Sequence, residues 1–133
     1  MLKSPDFSEP FKLAVDASDI GVGAVLLQND SFGIEHPVAY FSKKLNDCQK
    51  KYSTVEKETL SLILAIQHFE VYVSSSKSSV VVFTDHNPLT FIKKFSNKNQ
   101  RLTRWSLFLE EYDLTIKHIR GKENIVPDVL SRI

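Results

Sequence analysis

The stretch Val80–Thr84 reads VVVFT, an unbroken run of β-branched and aromatic residues that runs straight into the acid Asp85. A strand apolar at every position has no face suited to water, so the run predicts a central strand buried on both faces, in a sheet with helices packed against it. Other segments supply its neighbours. Phe11–Asp16 is a short apolar strand that also ends on an acid, and Val22–Gln28 follows Gly21 and Gly23, which are read as the turn of a hairpin. His36–Ser42 comes after the polar turn Asn29–Gly33, and three consecutive antiparallel strands are the simplest reading. Leu114–Ile119 alternates as an edge strand.

The strongest helix signal lies between these groups. Ser53 and Glu56 have the spacing of a capping box, and apolar residues recur at helical intervals from Val55 to Val73, where the serine-rich Ser74–Ser79 ends the run. Pro88 opens a short helix through Ile92, and Gln100–Glu111 forms another with Leu102, Trp105, Phe108 and Leu109 on one face. On that face Trp105 reads as core rather than as a base-stacking platform. Pro127 stands at the first position of a last short helix, within which the chain stops, as expected of a segment cut from something longer. The order is β-β-β-α-β-α-α-β-α. Residues 1–10, with two prolines and no periodicity, read as a linker, and residues 11–133 as one domain.

Composition narrows the class. The chain has 133 residues, 42% hydrophobic and 25% charged, which suits one hydrophobic core and excludes disordered and collagen-like sequences. No apolar run reaches the roughly 18 residues of a membrane span, and the N-terminus lacks an apolar signal region, so neither a membrane nor secretion is expected. Cys48 is the only cysteine, which rules out an internal disulfide and a cysteine-based zinc site and fits a reducing compartment. Net charge is only +1, but it is unevenly spread. No acid occurs from His86 to Leu109, a stretch holding Lys93, Lys94, Lys98, Arg101 and Arg104; Lys43, Lys44, Lys50 and Lys51 are offset only by Asp47. Such runs are either solvated surface or a phosphate-facing surface, and two of them favour the second.

The acids point to a chemistry. Two-metal phosphodiester cleavage needs carboxylates converging on cations about 3.5–4 Å apart. Asp16 and Asp85 end apolar strands, and if those strands are neighbours their carboxylates lie together at one sheet edge; the alternative is a turn or capping role. Glu58 shares a helical stripe with Val55, Leu62, Ala65, Ile66 and Phe69, whereas Glu56 lies roughly 160° away and already completes the capping box. A glutamate in an apolar stripe is desolvated and calls for a cation, so Glu58 is the candidate ligand. Asp128, in the first turn of the last helix, is equally explained by the helix dipole.

The segments PDFSEPFKLAVDASDIGVGAVLLQ, HPVAYFSKKLN, YSTVEKETLSLILAIQHF, FTDHNPL, RLTRWSLFLEEYDLTIKHIRGKEN and VPDVLSR resemble, in order and over nearly the whole chain, the ribonuclease H domain of Ty3/gypsy-type retroelement Pol polyproteins. The resemblance implies an α/β ribonuclease H-like fold: a five-stranded mixed sheet, three antiparallel strands then two parallel, flanked by helices. It implies an Asp-Glu-Asp-Asp tetrad carried here by Asp16, Glu58, Asp85 and Asp128, and it places His118 and Asn124 where relatives carry a histidine and an asparagine before the last acid. The histidine is expected to shuttle protons or aid product release, or else to be structural. Proline precedes the fourth acid where many relatives have alanine, a benign change at a first helical position. The basic loop-helix insertion of some cellular relatives is absent.

The implied activity is cleavage of the RNA strand of RNA/DNA hybrids during reverse transcription, with two Mg2+ (or Mn2+) ions. Asp16 would bridge them, with Glu58 and Asp85 on one and Asp128 on the other, leaving 5′-phosphate and 3′-hydroxyl ends. Backbone around Ala17–Gly21, with Ser18, would read 2′-hydroxyls, and Lys93, Lys94, Arg101 and Arg104 would follow the DNA strand, with Asn124 also on the substrate. The expected partners are the hybrid and the reverse transcriptase domain of the same polyprotein, in a cytoplasmic retroelement particle, or in the nucleus for a domesticated copy. Two rival classes are a domesticated or connection-type non-catalytic module, and another nuclease of the same superfold acting on DNA duplexes. All four acids are present, against the first; the spacing of EKETLSLILAI before FTDHNPL is against the second.

Overall fold

Strands buried at nearly every position build the centre of the N-terminal half of the sheet, with a more exposed strand at its edge. The computed structural model describes residues 4–84 and 99–118, the last of these by its backbone. Strands β1 (Lys12–Ala17), β2 (Gly21–Asn29) and β3 (Glu35–Lys44) form an antiparallel meander in which Asp16 lies opposite Gly23, and Val22 and Gly21 lie opposite Lys43 and Lys44. The β2–β3 register shifts between Leu26 and Leu27, opposite Ala39 and Pro37. β3 is an edge strand, where a proline and a bulge are tolerated. Gly21 and Gly23, read from sequence as the turn, instead belong to β2. The connection is Ser18–Ile20, held by the Ser18 hydroxyl, which accepts the Ile20 and Gly21 backbone N–H groups at 3.4 and 3.2 Å. Among the described residues the only positive φ is at Gly33 (78°), in the β2–β3 turn.

The VVVFT run forms β4 (Val80–Thr84), parallel to β1 on one side and to β5 (Leu114–His118) on the other, giving the order β3-β2-β1-β4-β5. Val80, Val82 and Thr84 are buried, while Val81 and Phe83 are half-buried, so one face is dry and the other only partly covered. The sheet is the expected one: mixed, with three antiparallel strands followed by two parallel ones.

Four helices are described: α1 (Asp47–Lys50), α2 (Thr54–His68), α3 (Glu70–Ser75) and α4 (Gln100–Glu110). α2 packs across β1 and β2, burying Leu62, Ile63, Ala65 and Ile66 against Leu13, Val15, Ala24 and Leu26. The single helix expected over Val55–Val73 is divided at Phe69, whose backbone (φ −98°, ψ 21°) leaves the helical region. No glycine or proline marks the break; Phe69 is fully buried there among the rings of Phe41, His68 and Tyr72. α4 turns Leu102 and Leu109 inward, with Trp105 and Phe108 packed on the core as its periodicity predicts. α1 carries a capping box of its own, Asn46 with Gln49. The expected helices at Pro88–Ile92 and from Pro127 lie outside the described residues.

The segment before β1 is tied to the sheet. The buried Gln28 side chain accepts the Asp6 N–H (2.9 Å) and donates to the carbonyls of Asp6 (2.7 Å) and Glu9 (3.1 Å), and Phe7 stacks on Tyr72. No helix among the described residues is long and apolar enough to cross a membrane.

Candidate active site

Three parallel strands end on the same edge of the sheet, and the acids gather there. β1 carries Asp16 in its last turn of pleat, with 3% of the residue exposed. β4 ends at the buried Thr84, and β5 ends at His118, whose Cα pairs with that of Thr84. Carboxyl ends of parallel strands are where open α/β sheets collect their functional groups, because helices cover the faces and leave the edge accessible.

α2 delivers the second acid. Glu58, also 3% exposed, lies on the stripe of Leu62, Ala65 and Ile66, and its Oε1 accepts the Ala17 backbone N–H at 3.2 Å. This contact joins the helix to the residue after Asp16, so two buried acidic residues are placed at the end of β1. Burial disfavours the charged form of a carboxyl group, and a hard cation bound by oxygen ligands offsets that cost. Glu56 has the other role expected of it: its Oε1 accepts the Ser53 N–H at 3.1 Å while Ser53 Oγ accepts the Glu56 N–H at 3.2 Å. The stripe distinguished which of the two glutamates is buried.

Other expected site residues divide. Ser18 is half-buried and shapes the β1–β2 connection through its hydroxyl and through its N–H, which donates to the Gly21 carbonyl at 2.8 Å. Arg101 is half-buried and already paired. Its guanidinium pairs with Glu56 Oε2 and sits over the Tyr52 ring, 4.0 Å from the centroid. Although burial pushes the Glu56 carboxyl up, the Ser53 backbone N–H and the Arg101 guanidinium outweigh it and hold the group below the usual carboxylate range. Arg104 is exposed on α4, its Nε donating to the Gln100 carbonyl at 3.4 Å. Lys43, Lys44, Lys50 and Lys51 are all exposed, the first two at the end of β3 beside Gly21 and Val22, on the same end of the sheet as Asp16. Asp85, Lys93, Lys94, Asn124 and Asp128 lie outside the described residues, as does the His118 side chain. Among the described residues no group of three or more metal-ligating side chains converges.

Sequence reasoning passed over Lys57. It is 8% exposed, and its Nζ donates to the Asp19 carbonyl at 3.3 Å in the β1–β2 connection. Its helical angle gives no signal of this burial, because a lysine stem can lie along apolar surface from most helix positions.

Comparison with known proteins agrees with this architecture. The fold matches the foamy viral protease-reverse transcriptase in complex with RNA/DNA hybrid, with a TM-score of 0.70 at 18% identity over 90% of this chain and 16% of that one. It also matches LC11-RNase H1 in complex with RNA/DNA hybrid, with a TM-score of 0.64 at 15% identity over 90% and 92% of the two chains. The mixed sheet flanked by helices is thus a ribonuclease H fold. Residues 6–112 match the model of the RNase H-like domain found in reverse transcriptase, and the chain belongs to that family. Its relatives include the retrovirus-related Pol polyproteins from transposons opus and 412 of Drosophila melanogaster, 41% and 42% identical over all of this chain. The Tf2-3 transposon polyprotein of Schizosaccharomyces pombe is 38% identical over the same span. The chain spans 13%, 10% and 10% of these polyproteins.

Proposed function

We propose that this chain is a metal-dependent endonuclease that cleaves the RNA strand of RNA/DNA hybrids during reverse transcription. The observation that carries the reading is the buried pair Asp16 and Glu58, brought together at the end of β1 by the Ala17 N–H contact. Family membership and the likeness to two proteins solved with RNA/DNA hybrid support it. Asp85 follows Thr84, the buried last residue of β4, directly in the sequence, and joins the set by resemblance. Asp128 completes the set by resemblance.

The donor set consists of carboxylate oxygens, which suits Mg2+ or Mn2+. Asp16, Glu58, Asp85 and Asp128 would hold two such ions, which supply charge neutralisation at the scissile phosphate and a lowered pKa for the attacking water. The chain's own residues do the positioning. The Ala17 N–H fixes one oxygen of Glu58, which aims the carboxylate without a flexible loop. His118, at the end of β5, is proposed to move protons at the departing product. Exposed Arg104, with Lys93 and Lys94, would follow the DNA strand.

The test is cleavage of a labelled hybrid by the 133-residue chain at low salt with Mg2+ and with Mn2+. Cleavage confined to the RNA strand and lost on Asp85→Asn is expected; no cleavage with either ion refutes the reading for this chain.

A further inference from the structure

Lys57 occupies a costly place. It is the fourth residue of α2, close to the positive end of the helix dipole, and nearly all of it is out of water. A lysine tolerates such burial when its ammonium has a fixed acceptor. The acceptor is the Asp19 carbonyl, at 3.3 Å. The Asp19 carboxylate, at 3.8 Å, is fully exposed and adds little.

The connection that receives this bond is held from three sides. Glu58 takes the Ala17 N–H, Lys57 donates to the Asp19 carbonyl, and the Leu45 N–H donates to the Ile20 carbonyl at 2.8 Å. Ser18 closes it internally. A three-residue connection beside a buried acid is thereby fixed much more firmly than the hairpin requires.

We propose that Lys57 is a positioning residue of the nuclease site: its ammonium on the Asp19 carbonyl holds the Ser18–Ile20 connection in the shape that meets the sugar edge of the RNA strand. This rests on the nuclease reading above. Lys57 touches neither substrate nor metal in this scheme. It acts through the connection, so its loss weakens recognition of the hybrid and spares the carboxylates.

Lys57→Met keeps the buried stem and removes the ammonium; Lys57→Arg keeps a cation. In the 133-residue chain, amide hydrogen exchange at Ile20, Gly21 and Leu45 is expected to quicken about tenfold in Lys57→Met, the size of one lost charge-assisted hydrogen bond, with the β2–β3 ladder unchanged. KM for an RNA/DNA hybrid with Mn2+ is expected to rise by a similar factor while kcat holds, and Lys57→Arg to restore both. Unchanged exchange overturns the proposal, and so does faster exchange with an unchanged KM. Should Lys57→Met fail to fold, Lys57→Gln, too short to reach Asp19, gives the same comparison. A wild-type chain that cleaves no hybrid refutes the nuclease reading instead, and the exchange rates still decide whether Lys57 holds the connection.

Discussion

Breaking the contact between Glu56 and Arg101 tests how α4 is fastened to the end of α2 that carries Glu58. The two side chains are 18% and 31% exposed, so the pair is only partly screened. A hydrogen bond between charged groups contributes about 1.5–3 kcal/mol when buried, and this exposure puts it near the lower figure. The guanidinium over Tyr52 adds roughly 0.5–1 kcal/mol. Arg101→Ala should therefore cost about 2–2.5 kcal/mol. Glu56→Ala should cost a similar amount, since it also removes the acceptor for the Ser53 N–H. The two changes share one contact, so the double variant should fall short of their sum by about 1 kcal/mol. Urea unfolding of the four proteins gives the cycle.

The pH dependence has a definite sign. The folded Glu56 carboxyl lies below its ordinary value of 4.5, so its stabilisation is fully present above that value and is lost as pH falls from there through the lowered one. Glu56→Gln should flatten the stability profile in that acid window alone. A coupling under about 0.3 kcal/mol would refute the assignment. So would an Arg101→Ala variant of unchanged stability whose hybrid binding loses about one unit of salt slope, since that would put the guanidinium on a phosphate.

Two further outcomes follow from buried polar groups. Asp16→Asn should raise Tm in EDTA by removing the charge of a buried carboxyl group, and should abolish the Mg2+-dependent rise in Tm expected of the wild type; scanning calorimetry reads both, and a lower Tm in EDTA would contradict the burial account. Gln28→Leu leaves the Asp6 N–H and the Asp6 and Glu9 carbonyls without their partner, so it should cost about 2 kcal/mol and expose residues 6–10 to limited proteolysis; an unchanged digestion pattern would show that Phe7 alone retains the segment.

Periodicity made the sheet and the burial of Glu58 legible, because both emerge from apolar patterning summed over several residues. VVVFT needed strands on both sides and has them, and a glutamate between apolar neighbours at helical spacing had to face the sheet. What periodicity does not carry is the identity of a partner. Arg101 belongs to a run without acids, so it reads as free for phosphate, yet its acid lies 45 residues earlier on another helix. Gln28 reads as the polar end of a strand, and only the fold shows that it is buried under the segment read as a linker. The turn was misassigned for a related reason: the glycines drew attention, while the work of turning is done by a serine hydroxyl three residues before the first of them.

Lys57 was missed because a lysine stem is long enough to lie along apolar surface from almost any helix position, which makes its burial invisible to a count of helical angles. Seen in the fold, Glu56, Lys57 and Glu58 form a sequence of three charged residues spaced by about 100°. Each reaches a different element: Glu56 meets α4, Lys57 meets the β1–β2 connection, and Glu58 meets the end of β1. A single helical turn, capped by Ser53, thus sets the relative positions of the basic helix, the connection and the buried acids. Catalytic carboxylates must be held to within about half an ångström, and side chains on a capped helix achieve this where loop side chains do not. On the nuclease reading proposed above, the cap at Ser53 therefore belongs to the site's precision as much as to the helix's stability, although it lies five residues from the acid it steadies.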